Sequence, residues 1–227
     1  PAAAFLNRNL LAEYLAPVIP FVVLFLSESM GSRYRFLVLG VFCAMGCVLI
    51  ATKCFGAILG GLLAIVALAA VDRVFRVAVP GGLLVIFLVW ANWNDFGVIE
   101  RLSMWGCTLR MIVDHPFGVG PGQWAPLLPL YDAAQVSTGA FGGPRTPHND
   151  PLFITVEYGV GAMACIAWGA VILARRVRRH IRHESELGLV GAWCVLAFAI
   201  TSCFAFPLQN GAAVFLPALM VGHLMRR

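Results

Sequence analysis

Seven apolar runs divide this chain, over residues 10–26, 36–52, 56–71, 77–92, 151–174, 187–206 and 208–224. A helix that crosses a bilayer needs about 20 mostly apolar residues. Inside lipid every backbone N–H and C=O must bond within its own segment or a closed barrel. No other feature narrows the fold so far. The chain reads as an all-α polytopic bundle of transmembrane helices. Its 12% of charged residues agrees, since soluble domains carry about 25%. The runs at 56–71 and 77–92 are the least distinct as separate crossings.

Charge sets the expected orientation, because Lys and Arg collect in cytoplasmic loops. If the seven runs alternate, Arg33, Arg35, Arg73, Arg76, Arg175, Arg176, Arg178, Arg179, Arg182, Arg226 and Arg227 share one side. Only Arg8, Lys53, Arg101, Arg110 and Arg145 fall on the other. The first side is expected to be cytoplasmic, and residues 92–150 form one long loop on the outer side. The net charge of +5 therefore reports topology. No aromatic–basic interleaving points to nucleic acid. The chain starts at Pro1 on the outer side with no signal peptide before it. Residues 1–227 are accordingly expected to be a single membrane domain, the C-terminal part of a longer protein. Cys43, Cys47, Cys165, Cys194 and Cys203 lie in apolar runs, where cysteine is a small hydrophobe. Cys54 and Cys107 lie outside, with no spacing that argues for a disulfide.

The outer loop has internal order. Ile99, Leu102, Leu109, Ile112 and Val113 recur at helical spacing, with Met104 and Trp105 among them. That predicts an amphipathic helix over 98–113, lying at the interface and ended by Pro116. GVGPG at 118–122 is not regular structure. It is open to two readings, plain tight turns or a nest of N–H groups around an anion. It does not fit a dinucleotide fingerprint, because no strand precedes it. Residues 132–147 are rich in Gly, Pro, Ala and Thr and read as mobile. Asp150 reads as an N-cap and Pro151 as the first helical residue. His148 and Asn149 then sit just before a helix N-terminus, at the membrane surface.

Several residues carry potential chemistry, each beside a plainer reading. His148 is either a solvated turn residue or a general base. The positive end of the following helix favours its neutral form. His180, His183 and His223 read as cytoplasmic interfacial residues, and His115 as part of a turn. No His/Cys/Asp/Glu cluster has metal-ligand spacing, so neither a metal nor a cofactor is expected. Arg101 and Trp105 are four apart and share a helix face. They are either an arginine snorkelling beside an interfacial tryptophan or a phosphate clamp with a rigid fork of donors. Arg110 lies nine residues on, about half a turn out of phase. Glu157 falls two turns inside the fifth run. It is either a functional group within a span or a carboxylate reaching water. Gly161, Cys165 and Gly169 read as a close-packing stripe. Asn9 reads as the cap of the first span, with Glu13 one turn in.

Together these pieces resemble the O-antigen ligase and polymerase superfamily of bacterial envelope enzymes. The family pattern has an Asn-x-Asn…Ala-x-Tyr-Leu span, matched by Asn7, Asn9, Ala12, Tyr14 and Leu15. It has an Arg-x-x-x-Trp helix, matched by Arg101 and Trp105, and a Pro-x-Gly-x-Gly-x-Gly turn, matched by Pro116, Gly118, Gly120 and Gly122. It has His-Asn before Leu-x-x-x-x-Glu-x-Gly, matched by His148, Asn149, Leu152, Glu157 and Gly159, with Gly161 near the last family glycine.

The resemblance implies a glycosyltransferase of the bacterial inner membrane with its active site at the periplasmic face. The implied donor is a glycan on undecaprenyl diphosphate, and the acceptor lipid A-core or another glycan repeat. His148 would be the base and Arg101 the diphosphate ligand. Arg145, Lys53, Asn149, Glu157, Trp105, Gly120 and Asn9 would contribute to substrate binding. One run departs from the pattern. Where members carry Thr-x-Ser-Arg-Gly-Ala, this chain reads Thr52, Lys53, Cys54, Phe55, Gly56, Ala57. Phe55 stands in place of the arginine, and Lys53 is about 200° away round a helix. Two other classes remain open: a non-catalytic polysaccharide assembly subunit, and a lipid-linked glycan transporter. A transporter would place ionisable residues at mid-membrane between repeats.

Overall fold

The computed structural model describes residues 8–28, 33–69, 98–131, 146–182 and 186–225. Among the described residues every regular element is helical. In chain order they are α1 (Arg8–Leu15), a 3-10 turn (Ala16–Val18), α2 (Ile19–Glu28), α3 (Arg35–Thr52), α4 (Phe55–Ala69), α5 (Val98–Asp114), α6 (Trp124–Tyr131), α7 (Asp150–Tyr158), α8 (Val160–Arg182), α9 (Glu186–Phe204), a second 3-10 turn (Pro207–Gln209) and α10 (Gly211–Met225). They form two compact units, Pro1–Phe96 with Leu173–Arg227, and Gly97–Ile172.

Among the described residues four segments are long and apolar enough to cross a membrane: Arg8–Leu26, Arg35–Thr52, Val160–Arg179 and Leu187–Phe204. Gly211–Met225 is a shorter apolar helix. The protein is all-α and polytopic, as the apolar runs require. The first span is α1, the 3-10 turn and α2 run together. Pro17 sits at the start of the turn, where its missing N–H is tolerated. The run at 77–92 lies outside the described residues. Asn9 lies within the first turn of α1 and not at a cap, because the helix is already under way at Arg8.

The run expected over 151–174 is not one helix. It breaks at Gly159, whose φ of 86° and ψ of 173° no helix contains. The crossing segment therefore begins at Val160 and leaves Glu157 on a separate short helix.

In the first unit, α4 packs on α9 through two glycines one turn apart. A Cβ on Gly60 would come within 2.6 Å of Thr201 Oγ1, and one on Gly56 within 2.8 Å of Phe204 Cβ. Small residues let two backbones approach this closely. The stripe expected on α8 meets none of the described residues: a Cβ on Gly161 or Gly169 would have none of them within 4 Å. Near the start of α1, Asn210 Nδ2 donates to Leu10 O at 2.8 Å and Phe206 N–H to Glu13 Oε1 at 3.3 Å. These bonds tie α1 to the irregular stretch before α10.

The second unit is built from α5, α6, α7 and the start of α8. Its core is Met104, Cys107, Met111, Trp124, Leu128 and Val156. Met104, Cys107 and Met111 follow helical spacing, so one stripe of α5 is core. The stripe marked by Leu102, Leu109 and Val113 is exposed instead. Trp124 decides between the two. It is wholly buried, and its indole N–H needs an acceptor when desolvated. Thr108 Oγ1 supplies one at 2.9 Å and itself donates to Met104 O at 2.8 Å. Phe153 meets the Trp124 ring edge-on at 6.4 Å.

Candidate functional site

Two sequence motifs far apart in the chain come together as a clasp in the second unit. The Pro116–Gly122 loop crosses the break between α7 and α8. Val119 N–H donates to Val156 O at 2.8 Å and Gly120 N–H to Glu157 O at 3.0 Å. In return Val160 N–H donates to Pro116 O at 2.9 Å. Glu157 Oε1 accepts from Gly122 N–H at 2.8 Å, and its carboxylate also accepts from the Trp124 amide. Burial holds this carboxyl above the usual range, against the pull of the two amides. The amides of Val119, Gly120 and Gly122 are thus bonded within the protein, which leaves the turn reading of GVGPG in place of an anion nest.

His148 sits in the turn before α7. Asn149, one residue earlier than the cap expected from sequence, has extended backbone, and its Oδ1 accepts from Leu152 N–H at 2.9 Å. Asp150 then opens the first turn, where a carboxylate suits the helix dipole. His148 itself has φ of 52°, a left-handed conformation uncommon outside glycine, though asparagine, aspartate and histidine adopt it more often than other residues. The turn is held from behind by Trp105, whose Nε1–H donates to Pro147 O at 2.8 Å. Strain of this kind persists only where the surroundings over-determine it, and it concentrates at functional sites.

The electrostatics of this turn favour a neutral imidazole. The pKa of His148 is lowered to about 4, first by burial and then by the charge of Arg101. The positive end of α7 acts in the same sense. Arg101 and Trp105 lie one turn apart on α5, so one helix face presents a cation to His148 and an indole to the residue before it. A neutral imidazole accepts a proton, and a guanidinium beside it binds an anion through paired N–H groups.

The structure therefore gathers Arg101, Trp105, His148 and Asn149 around one turn, and Gly120 and Glu157 into the clasp on the same short helix. Lys53 and Asn9 belong to the first unit. Lys53 closes α3 with φ of 54°, its N–H returning to Ile50 O at 3.1 Å. Next to it Phe55 packs edge-on against Phe204 at 5.3 Å. Arg145 lies outside the described residues.

One feature of the second unit is absent from the sequence reading. Leu109, Arg110, Val113, Asp114, Leu130 and Tyr131 line an open cavity of about 410 Å³ between α5 and α6. Tyr131 Oη donates to Asp114 Oδ2 at 2.9 Å. That hydrogen bond, with burial and the Asp114 charge, raises the phenol pKa. The available signal was two polar-tipped residues at the ends of adjoining helices, which spacing alone does not pair.

The chain is thus an all-α, multi-pass membrane protein that carries a histidine–arginine turn just before a short helix outside a candidate span. A family model described as O-antigen ligase matches residues 15–167. The chain belongs to the O-antigen ligase family. Membership places it among glycosyltransferase-like membrane proteins that handle lipid-linked glycans and their acceptors. No curated protein matches the chain.

Proposed function

We propose that this protein transfers a glycan from undecaprenyl diphosphate to an acceptor hydroxyl, on lipid A-core or another glycan repeat. The reaction takes place at the periplasmic face of the inner membrane, with residues 92–150 as the periplasmic loop. The observation that carries this reading is the pairing of His148 with Arg101: an imidazole kept neutral down to about pH 4 beside a cation. A glycosyl diphosphate is already activated. The enzyme has to orient the acceptor, take its proton, and stabilise the negative charge that leaves. His148 takes the proton from the acceptor hydroxyl as its oxygen attacks the anomeric carbon. Arg101 receives the departing diphosphate, with Arg145 as a further cation for it. Trp105 and Asn149 set the turn, while Glu157 and Gly120 hold the loop that clasps the far end of the same short helix. The step needs no metal, so chelation leaves the rate unchanged.

The deciding experiment is transfer from a purified lipid-linked glycan in detergent, with and without chelator. Product formation that persists in EDTA and is lost in a His148 variant is the expected result. Chelator-sensitive transfer, or none at all, overturns it.

One observation favours a second reading, a non-catalytic assembly subunit. Phe55 occupies the position of a family arginine and packs on Phe204, so an apolar contact replaces a cation there. Envelope glycan profiles with and without the gene separate the two. Loss of polymer attachment, or a single-repeat product, marks an enzyme.

A further inference from the structure

Phe117 is 91% exposed, yet it is held in place on both sides. Gly118 N–H donates to His115 O at 2.9 Å, and Val160 N–H to Pro116 O at 2.9 Å. Its backbone lies against Gly159 so closely that a Cβ there would meet Phe117 C at 2.6 Å. A large ring fixed in the open forgoes the gain from burial, about 25 cal/mol per Å² of apolar surface. Its neighbours across the crossing are exposed as well: Tyr158 at 57% and Val160 at 49%, on either side of Gly159. Val160 is also the first residue of the candidate span Val160–Arg179, none of whose residues is buried. The patch is therefore continuous with the surface that a multi-pass protein turns toward lipid. Tyrosine favours the headgroup level of a bilayer, and phenylalanine on an interfacial apolar face buries at the headgroup–acyl boundary.

We infer that Phe117, with Tyr158 and Val160, seats this crossing in the lipid interface, so that the bilayer surface begins at Gly159. The occupant of the patch is lipid. The nine residues of α7 then span no more than about 14 Å between that surface and the turn that carries His148. Within that reach lies the polar headgroup layer, about 5–8 Å deep on each side, where a lipid diphosphate would meet the turn. This last consequence rests on the proposed transferase function, whereas the seating itself does not.

The test is made on the full chain in phosphatidylethanolamine–phosphatidylglycerol nanodiscs. The exposed Cys43, Cys47, Cys165 and Cys203 are replaced by serine, and the buried cysteines are kept. Phe117→Cys and Tyr158→Cys are made singly and labelled with bimane. Each label is quenched either by a nitroxide on the upper acyl chain of the lipid or by iodide in the water. The inference expects several-fold stronger quenching by the lipid nitroxide than by iodide at both positions. Iodide quenching at either position, with the nitroxide ineffective, overturns it. Labels shielded from both quenchers would put a protein partner on the patch and overturn it equally. None of these outcomes depends on transferase activity.

Discussion

Gly118 and Gly159 pass each other with no room for a Cβ on either. A methyl on Gly118 would lie 2.5 Å from Glu157 O and 2.7 Å from Gly159 N, and one on Gly159 would lie 2.6 Å from Phe117 C. Both have positive φ, 93° and 86°. The two glycine motifs are thus two halves of one crossing, which ends α7 and starts the span.

Gly118→Ala and Gly159→Ala are each expected to destabilise by about 1–3 kcal/mol from overpacking against backbone that cannot yield. Left-handed backbone adds about 1–2 kcal/mol. Gly122→Ala carries only the second contribution, because φ is 74° but nothing lies within 4 Å of its Cβ. Thermal unfolding in detergent, followed by tryptophan fluorescence, should rank Gly122→Ala well above the other two. Equal melting temperatures for all three would mean that φ matters and the crossing does not.

Glu157 is expected to act through its oxygen and not its charge. Oε1 accepts from the Gly122 amide at 2.8 Å, and a glutamine carbonyl does the same. Glu157→Gln should keep the fold and most of the activity. Glu157→Ala leaves two amides without their acceptor, and each costs about 1–3 kcal/mol if it stays buried. Melting temperature and transfer rate should fall together in the alanine variant alone. A glutamine variant that is stable but inactive would instead put the carboxylate on substrate.

Trp105 should position the histidine turn through one hydrogen bond. Trp105→Phe keeps most of the ring and removes the Nε1–H that reaches Pro147 O at 2.8 Å. The stability loss should be about 0.5–1.5 kcal/mol. The kinetic loss should fall on kcat, because the turn sets the direction of His148. A rise in KM with unchanged kcat would point to an indole that stacks on sugar.

The apolar runs make four of the spans legible, and the His-Asn-Asp-Pro turn makes the start of α7 legible to within one residue. Asn149 and Asp150 are both competent caps, and proline fits either of the first two helical positions, so local chemistry does not choose between them. The break at Gly159 is not legible, because its cause is the Phe117 backbone, some forty residues away in the chain. The core face of α5 is not legible either. The helix carries two apolar stripes, and periodicity weighs them equally; the need of buried Trp124 for the Thr108 hydroxyl selects one. The spacing that places Arg101 opposite Arg110 is local and legible. That Arg101 faces a histidine turn is tertiary.

That opposition yields a kinetic prediction. Arg101→Lys keeps the charge but loses the planar fork that grips two phosphate oxygens at once. It should lose most of the transfer activity, while Arg110→Lys should be nearly silent. Arg110 lies on the far side of α5, where its Nη2 contacts the Cys107 thiol at 3.4 Å. Transfer assays over a range of lipid-linked donor should show the Arg101 effect in kcat/KM. Equal effects at the two positions would favour arginines that only snorkel to headgroups.

His148 offers the sharpest test, because its backbone and its ring make separate demands. The φ of 52° penalises alanine by about 1–2 kcal/mol relative to a residue that tolerates the left-handed region. His148→Asn is therefore the better inert variant, since asparagine visits that region readily. It should fold as well as the native protein while transfer falls by about 10²–10⁴-fold, the usual contribution of a general base. With the imidazole pKa lowered to about 4, the acid limb of kcat/KM should fall near pH 4 and not near the ordinary histidine value of about 6.5. Stability follows the same linkage. The unfolded chain binds the proton first, so this contribution is complete above about pH 6.5 and is lost as pH falls toward 4. Arg101→Gln removes the second cause of the shift but not burial, so its acid limb should move up while staying below 6.5. An acid limb at 6.5 in the native enzyme, or a His148→Asn variant within a few fold of native rate, would return the residue to a turn-forming role.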